Sequence, residues 1–294
     1  MPSRFETCRR SPLLGGALGL LLTVAGCGTV LLNETGSLTR YDRLAVSDEV
    51  ATKAKLYADP AALAATRTVR IVPTRFPESI SGPGLNDIER RLIANAADRA
   101  LCYELSLRYD VVSTKKADLT VRSAVTRVDL TNVPAAGATI ATSAGITVAS
   151  QLGVGFATAV GRVPIPRIPI GLGSITVEAE ALDGRHQQRA AMVWAGGANA
   201  FTNQARFSSA GDAYDLAGEF GQDFGTLLVT GRDPFKEPLA IPNWNRIRVT
   251  TLGEAPLDPD CEQFGRAPGI DGMIGDYIGL PPDWTDKGPR DAIN

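Results

Sequence analysis

The residues best equipped for chemistry in this chain are one histidine, four cysteines and a few clustered carboxylates. His186 follows the Asp183-Gly184 pair in LDGRHQQR. As a general base it would need a nucleophile beside it, yet no Gly-x-Ser-x-Gly elbow accompanies the many serines. An exposed polar residue at a hairpin tip is the expectation. Glu178 and Glu180 alternate onto one face of a strand, a spacing that could pair two carboxylates for acid/base work. A solvent-facing sheet surface is the simpler expectation for them. DPDCEQ (258–263) gathers Asp258, Asp260, Cys261 and Glu262, but no Cys-x-x-Cys and no histidine completes a metal site there. IDGMIGDYIG (270–279) lacks the oxygen-ligand spacing of a calcium loop. Neither a Walker-type phosphate loop nor a dinucleotide fingerprint occurs. The expectation is therefore a protein that is not an enzyme, with no metal and no cofactor beyond a covalent lipid.

That lipid is read from the first 27 residues. Arg4, Arg9 and Arg10 precede the apolar run PLLGGALGLLLTVAG, and Val24-Ala25-Gly26-Cys27 follows. A basic region, an apolar region and small residues in that order make a secretory signal, which is left out of fold reasoning. The last four residues resemble the lipobox of bacterial lipoprotein signals. The resemblance implies cleavage before Cys27 and acylation of both its thiol and its new amino group. An uncleaved N-terminal anchor or an ordinary signal cut elsewhere is the alternative. Two or more acyl chains give stable anchoring, at about 0.8 kcal/mol per buried methylene. Lipoproteins kept in the inner membrane often carry Asp after the cysteine. Gly28 therefore implies an outer-membrane lipid anchor on the periplasmic side. Removing residues 1–26 takes the net charge from −2 to about −4. With no basic stripe, nucleic acid is not an expected partner.

Cys8 and Cys27 belong to the signal and the anchor, which leaves Cys102 and Cys261 in an oxidising compartment. One disulfide between them is the expectation, and two unpaired thiols the alternative.

The elements that must position these residues follow from periodicity. Residues 27–66 read as a lipidated tether and entry segment, and 67–231 as the folded domain. TVRIVP (68–73) alternates as a short strand. Asn86 with Glu89 three residues on makes a capping box for a helix to about Arg108. Leu92, Ile93, Ala96 and Tyr103 fall on its apolar side, with Asp98 opposite and Cys102 off the stripe. DVVST is a second short strand. The long strand 117–130 changes parity at Val128, as a bulge would produce. SITVEAEAL, Asp183-Gly184 and QQRAAMVWAGG make a hairpin. A last helix runs from about Ser209 to Val229, with Gly211, Gly218, Gly221 and Gly225 along it. Each costs about 1 kcal/mol relative to Ala, which suggests close packing against a neighbour. Residues 232–294 read as an irregular Pro-rich tail, pinned by Cys261 and by Trp244 and Trp284 docking on the body, with outright disorder as the alternative.

Between the long strand and the hairpin lies a Gly/Ala-rich apolar insertion (131–173), uncharged from Leu130 to Gly161. Taken as a helix, Gly145, Ala149, Gly153, Ala157 and Gly161 form a row of small residues beside a larger apolar ridge. The row resembles a glycine zipper, which lets helices approach closely. A helix or loop buried within one subunit, a surface for self-association or membrane contact, and a spanning helix all stay open.

The order of strand, helix, short strand, long strand, insertion, hairpin, helix argues α+β, a mostly antiparallel sheet with two helices packed on one face. A lipobox, GSLTRYDRL (36–44) and this element order with EAEALDG in the hairpin resemble a bacterial lipoprotein family, domain of unknown function 3313. That family supplies no activity or catalytic residues. More distantly, the order is similar to periplasmic lipoproteins that form rings or serve envelope transport machines. The functional expectation is a non-catalytic envelope lipoprotein acting as an accessory or assembly component. It would meet the membrane through its lipid and pair with an envelope protein or copies of itself. A small-ligand or lipid-binding module is the alternative, ahead of an envelope hydrolase.

Overall fold

A computed structural model describes residues 30, 32–48, 52–77, 84–113, 116–138, 171–199, 203, 205–236 and 244–288. Its centre is a mixed seven-stranded sheet in the order β1-β2-β7-β6-β5-β3-β4. The strands are β1 (Ala45–Asp48), β2 (Thr52–Ala58), β3 (Thr68–Arg75), β4 (Asp110–Val111), β5 (Leu119–Asp129), β6 (Ser174–Asp183) and β7 (Gln188–Gly197). The four ladders from β1 to β5 are antiparallel, whereas β3 runs parallel to both β5 and β4. A parallel neighbour requires a crossover, and the helix between β3 and β4 supplies it.

That helix, α2 (Asp87–Ser106), follows the short α1 (Pro60–Ala65) and starts at the expected capping box. The Asn86 side chain accepts from the amides of Ile88 and Glu89, and Glu89 accepts from the Asn86 amide. The bulge in β5 also falls where the parity changes, between Val125 and Arg127. The second long helix, α3 (Gly211–Thr230), packs along α2 and against β6 and β7, while α2 lies on β3. Val69, Val121, Val177 and Met192 of the sheet share one core with Leu101, Leu105, Phe220 and Phe224. Trp194 crosses this core edge-on to Phe220, and its indole N–H donates to Asp223 at 2.8 Å.

The helix glycines divide by what faces them. A Cβ at Gly221 would lie 2.4 Å from the Ala97 carbonyl oxygen, and one at Gly225 would lie 2.4 Å from the Glu104 Cβ. These two let α2 and α3 touch. Gly218 has nothing within 4 Å and meets open space instead.

Three expectations change. Residues 45–58, expected within the tether, supply β1 and β2. Asp98, expected outside, is 1% exposed, because it lies against β3 and accepts from the Thr74 amide and hydroxyl. The tail carries real elements, including α4 (Ile270–Ile278) and the 3₁₀ turns Pro259–Phe264 and Pro282–Trp284. Its tryptophans do not pin it: Trp244 is 66% and Trp284 70% exposed.

Candidate functional site

The two carboxylates expected to face solvent are sealed. Glu178 and Glu180 point away from the helices, and residues 35–41 cross over them. Glu178 accepts from the Thr35 amide at 2.6 Å, the Ser37 amide at 2.9 Å and the Tyr41 hydroxyl at 2.6 Å. Glu180 accepts from the Thr39 amide and hydroxyl, both at 2.9 Å, from Arg122 at 2.7 Å and from Gln188 at 2.8 Å. Leu38 adds an apolar contact with Ala191 and Val193. Burial, together with the bond to Glu178, pushes the Tyr41 hydroxyl up to about 12. Charged acceptors this well supplied fix the strap to the sheet.

A cavity of about 300 Å³ lies on the far side of the helices, between α2, α3 and the tail. Arg206 crosses it, buried, with Nη2 donating to Asp215 at 2.5 Å and Nη1 2.8 Å from Asp276. Glu104 pairs with Arg246, whose guanidinium lies over the Tyr103 ring. Nearby, Arg99 donates to Tyr214 at 3.0 Å and to Asp286 at 2.9 Å, and Tyr214 donates to Asp286 at 2.5 Å. Burial raises Asp215 to about 7 against the pull of Arg206, although 22% of its side chain stays open toward the cavity. Burial also raises Asp276 and Tyr103. Among the described residues, Arg206 Nε and Arg99 Nη1 have no acceptor, although both atoms are closed off and only other parts of these side chains line the cavity. With Arg99, Arg206, Arg246 and Arg266 in its wall, the cavity offers positive charge beside its acidic groups. Ala96, Ala100, Gly218, Val249, Pro256 and Pro268 make the rest of its wall largely apolar.

A family model described as "Protein of unknown function (DUF3313)" matches residues 33–224. The chain belongs to this family. No curated protein sequence matches it. Among solved structures, two PelC dodecamers from Paraburkholderia phytofirmans are similar, in space groups C2 and P6. They are 9% and 10% identical, with TM-scores of 0.32 and 0.33. The first covers 58% of this chain and 95% of its own, the second 57% and 96%.

The DUF3313 match takes in both halves of the strap and the α2 wall of the cavity. The opposite wall, from Arg246 to Asp276, lies beyond it. The strap also accounts for two of the stretches that carry the family resemblance: GSLTRYDRL donates, and the glutamates of EAEALDG accept. What joins the outer wall to the DUF3313 core is Cys102–Cys261, a disulfide with a Cα–Cα distance of 5.8 Å. Asp258 and Asp260 dock the same wall by accepting from the amides of Val111 and Ser113. IDGMIGDYIG is helical. His186 is exposed at the hairpin tip with φ 59°. Among the described residues, no group of three or more His, Cys, Asp or Glu is placed to hold a metal. Cys27 and the row Gly145, Ala149, Gly153, Ala157 and Gly161 lie outside the described residues. Sequence reasoning missed Arg99, Arg206, Asp215 and Arg246. Gly218 was the one available signal, a helix glycine whose missing side chain serves the cavity rather than a helix contact.

Proposed function

We propose that this chain is a non-catalytic envelope lipoprotein, anchored to the outer membrane through Cys27 and facing the periplasm, that works as an accessory component by binding a small amphiphile. The observation that carries the reading is the cavity, with Arg99, Arg206 and Arg246 in a mostly apolar wall. Its volume sits at the small end of ligand pockets. Such a site suits a short apolar body with a carboxylate or similar acceptor head. Octanoate serves as a probe of that chemistry. Calorimetric titration of the purified protein should show binding that Gly218→Leu abolishes, since Gly218 lines the cavity and a Cβ there has nothing within 4 Å. Absence of binding, or equal binding by the variant, would overturn the ligand reading.

As an accessory component the protein would also contact an envelope protein or further copies of itself. The small-residue row around Gly153 is the expected surface for self-association. Gly153→Leu should then shift the sedimentation profile toward monomer while leaving the fold intact, and an unchanged profile counts against it.

A further inference from the structure

Helix α4 is turned inside out. Its inward side consists of Gly272 beneath Pro268, Gly275 beneath Thr285, and Asp276 on Arg206. Its outward side carries Ile270, Met273, Ile274, Tyr277 and Ile278, between 49% and 79% exposed. At 100° per residue these five cover an arc of about 140° that contains no charge, with Asp271 at its border. A surface helix of a soluble domain normally shows the reverse, so something apolar belongs against this one.

The place of α4 in the fold identifies the occupant. Asp129, Ser174 and Gly197 sit in register at one end of the sheet. Beyond that end the Thr131 amide donates to the Ser209 carbonyl, and the Phe207 amide donates to the Gly279 carbonyl at the C-terminus of α4. Phe207 and Trp284, both exposed, add to the apolar surface there. Val30 packs against Gly197 at the same end. Only two residues, Gly28 and Thr29, separate it from Cys27, a span of about 10 Å of fully extended chain. A lipid on Cys27 would therefore hold this pole of the domain close to the bilayer, on a short tether.

We propose that the pole bearing α4 is a membrane-contact face, with the apolar side of α4 seated in the lipid interface. The inference rests on acylation at Cys27. An interfacial helix of this kind buries its apolar side about 5–10 Å into the headgroup boundary. The second contact would fix the domain's orientation and turn the far end of the sheet, at the Asp183–His186 turn, toward the periplasm.

The test uses the full chain, processed in a bacterial host, purified and reconstituted in phosphatidylethanolamine and phosphatidylglycerol vesicles containing brominated acyl chains. Tyr277→Trp reports on α4. Arg185→Trp reports on the far hairpin tip, roughly 30 Å away along β6. Each is measured against the unsubstituted protein. The added fluorescence should be largely quenched at position 277 and retained at position 185. An intact mass lacking acyl chains would overturn the anchor reading, and this inference with it. Acylated protein with position 277 unquenched, or quenched no more than position 185, would overturn the inference alone. Crosslinking of position 277 to a second copy in place of quenching would also overturn it.

Discussion

The Tyr41 hydroxyl donates to Glu178 Oε2 at 2.6 Å, joining residues 137 positions apart and closing a strap over the face of the sheet turned away from the helices. Two backbone amides of the strap end on the same carboxylate, so Glu178 is its main fastening. Its side chain is 1% exposed, and truncation would leave three donors without an acceptor.

Glu178→Ala should therefore cost about 2–4 kcal/mol, in the range for removing one partner of a buried charged network. Denaturant unfolding measures the loss. Hydrogen exchange should accelerate first over residues 35–41, because the strap can lift while the sheet stays paired. Unchanged exchange there would show that Leu38 and the bonds from Thr39 to Glu180 hold the strap without Glu178.

The helix glycines give opposite signs for one chemical change. Gly221→Ala should destabilise by about 1–3 kcal/mol, because its Cβ meets backbone atoms of α2 that cannot yield. Gly218→Ala should stabilise by up to about 1 kcal/mol, gaining helix propensity in open space. Thermal melts of the two variants and the parent suffice to compare them. A shared sign would contradict the packing of α2 on α3.

What the sequence made legible was local. The capping box at Asn86, the bulge before Arg127 and the hairpin at Asp183 each depend on residues a few positions apart, and each stands where it was expected. The strap was not legible, because alternation separates two faces of β6 without saying what covers the second. Nothing in the types of residues 35–41 has a period that announces a partner 140 positions away. Asp98 was misplaced for a related reason. A stripe of apolar residues does not show that a carboxylate can sit on the sheet side when Thr74 of β3 supplies it with two donors. The cavity was hidden still further, since its charges come from four separated stretches and neutralise one another in pairs.

The disulfide makes a prediction about the cavity wall. Cys102 and Cys261 are 159 residues apart, and the chain-entropy model gives a loop of that length about 5 kcal/mol as an upper value. Replacing both by Ser should lower the denaturation midpoint and release residues 244–288 from α2. Trypsin should then cut at Arg246 and Arg248 well before the sheet opens. Equal protease resistance in the double variant would mean that Asp258, Asp260 and the Arg206–Asp276 pair hold the wall unaided.

Buried Asp98 sets a pH dependence whose direction can be worked out. Its carboxyl accepts from the Thr74 amide at 2.9 Å and the Thr74 hydroxyl at 2.6 Å, which favours the charged form. Burial outweighs both and raises it from 3.8 to about 7. Between those values the folded chain binds the extra proton, so stability from this group is complete below about pH 4 and is lost as pH rises to about 7. A carboxyl raised that far contributes about 4 kcal/mol as a ceiling. Asp215 shares the window, because burial raises it to about 7 as well, so the wild-type slope combines the two. Asp98→Asn keeps an acceptor for the Thr74 amide and carries no charge. Unfolding free energies at pH 4.5 and pH 7.5 should differ less in this variant than in the parent. A parent curve that rises across that interval, or a variant slope identical to it, would show that Asp98 is not the group being titrated.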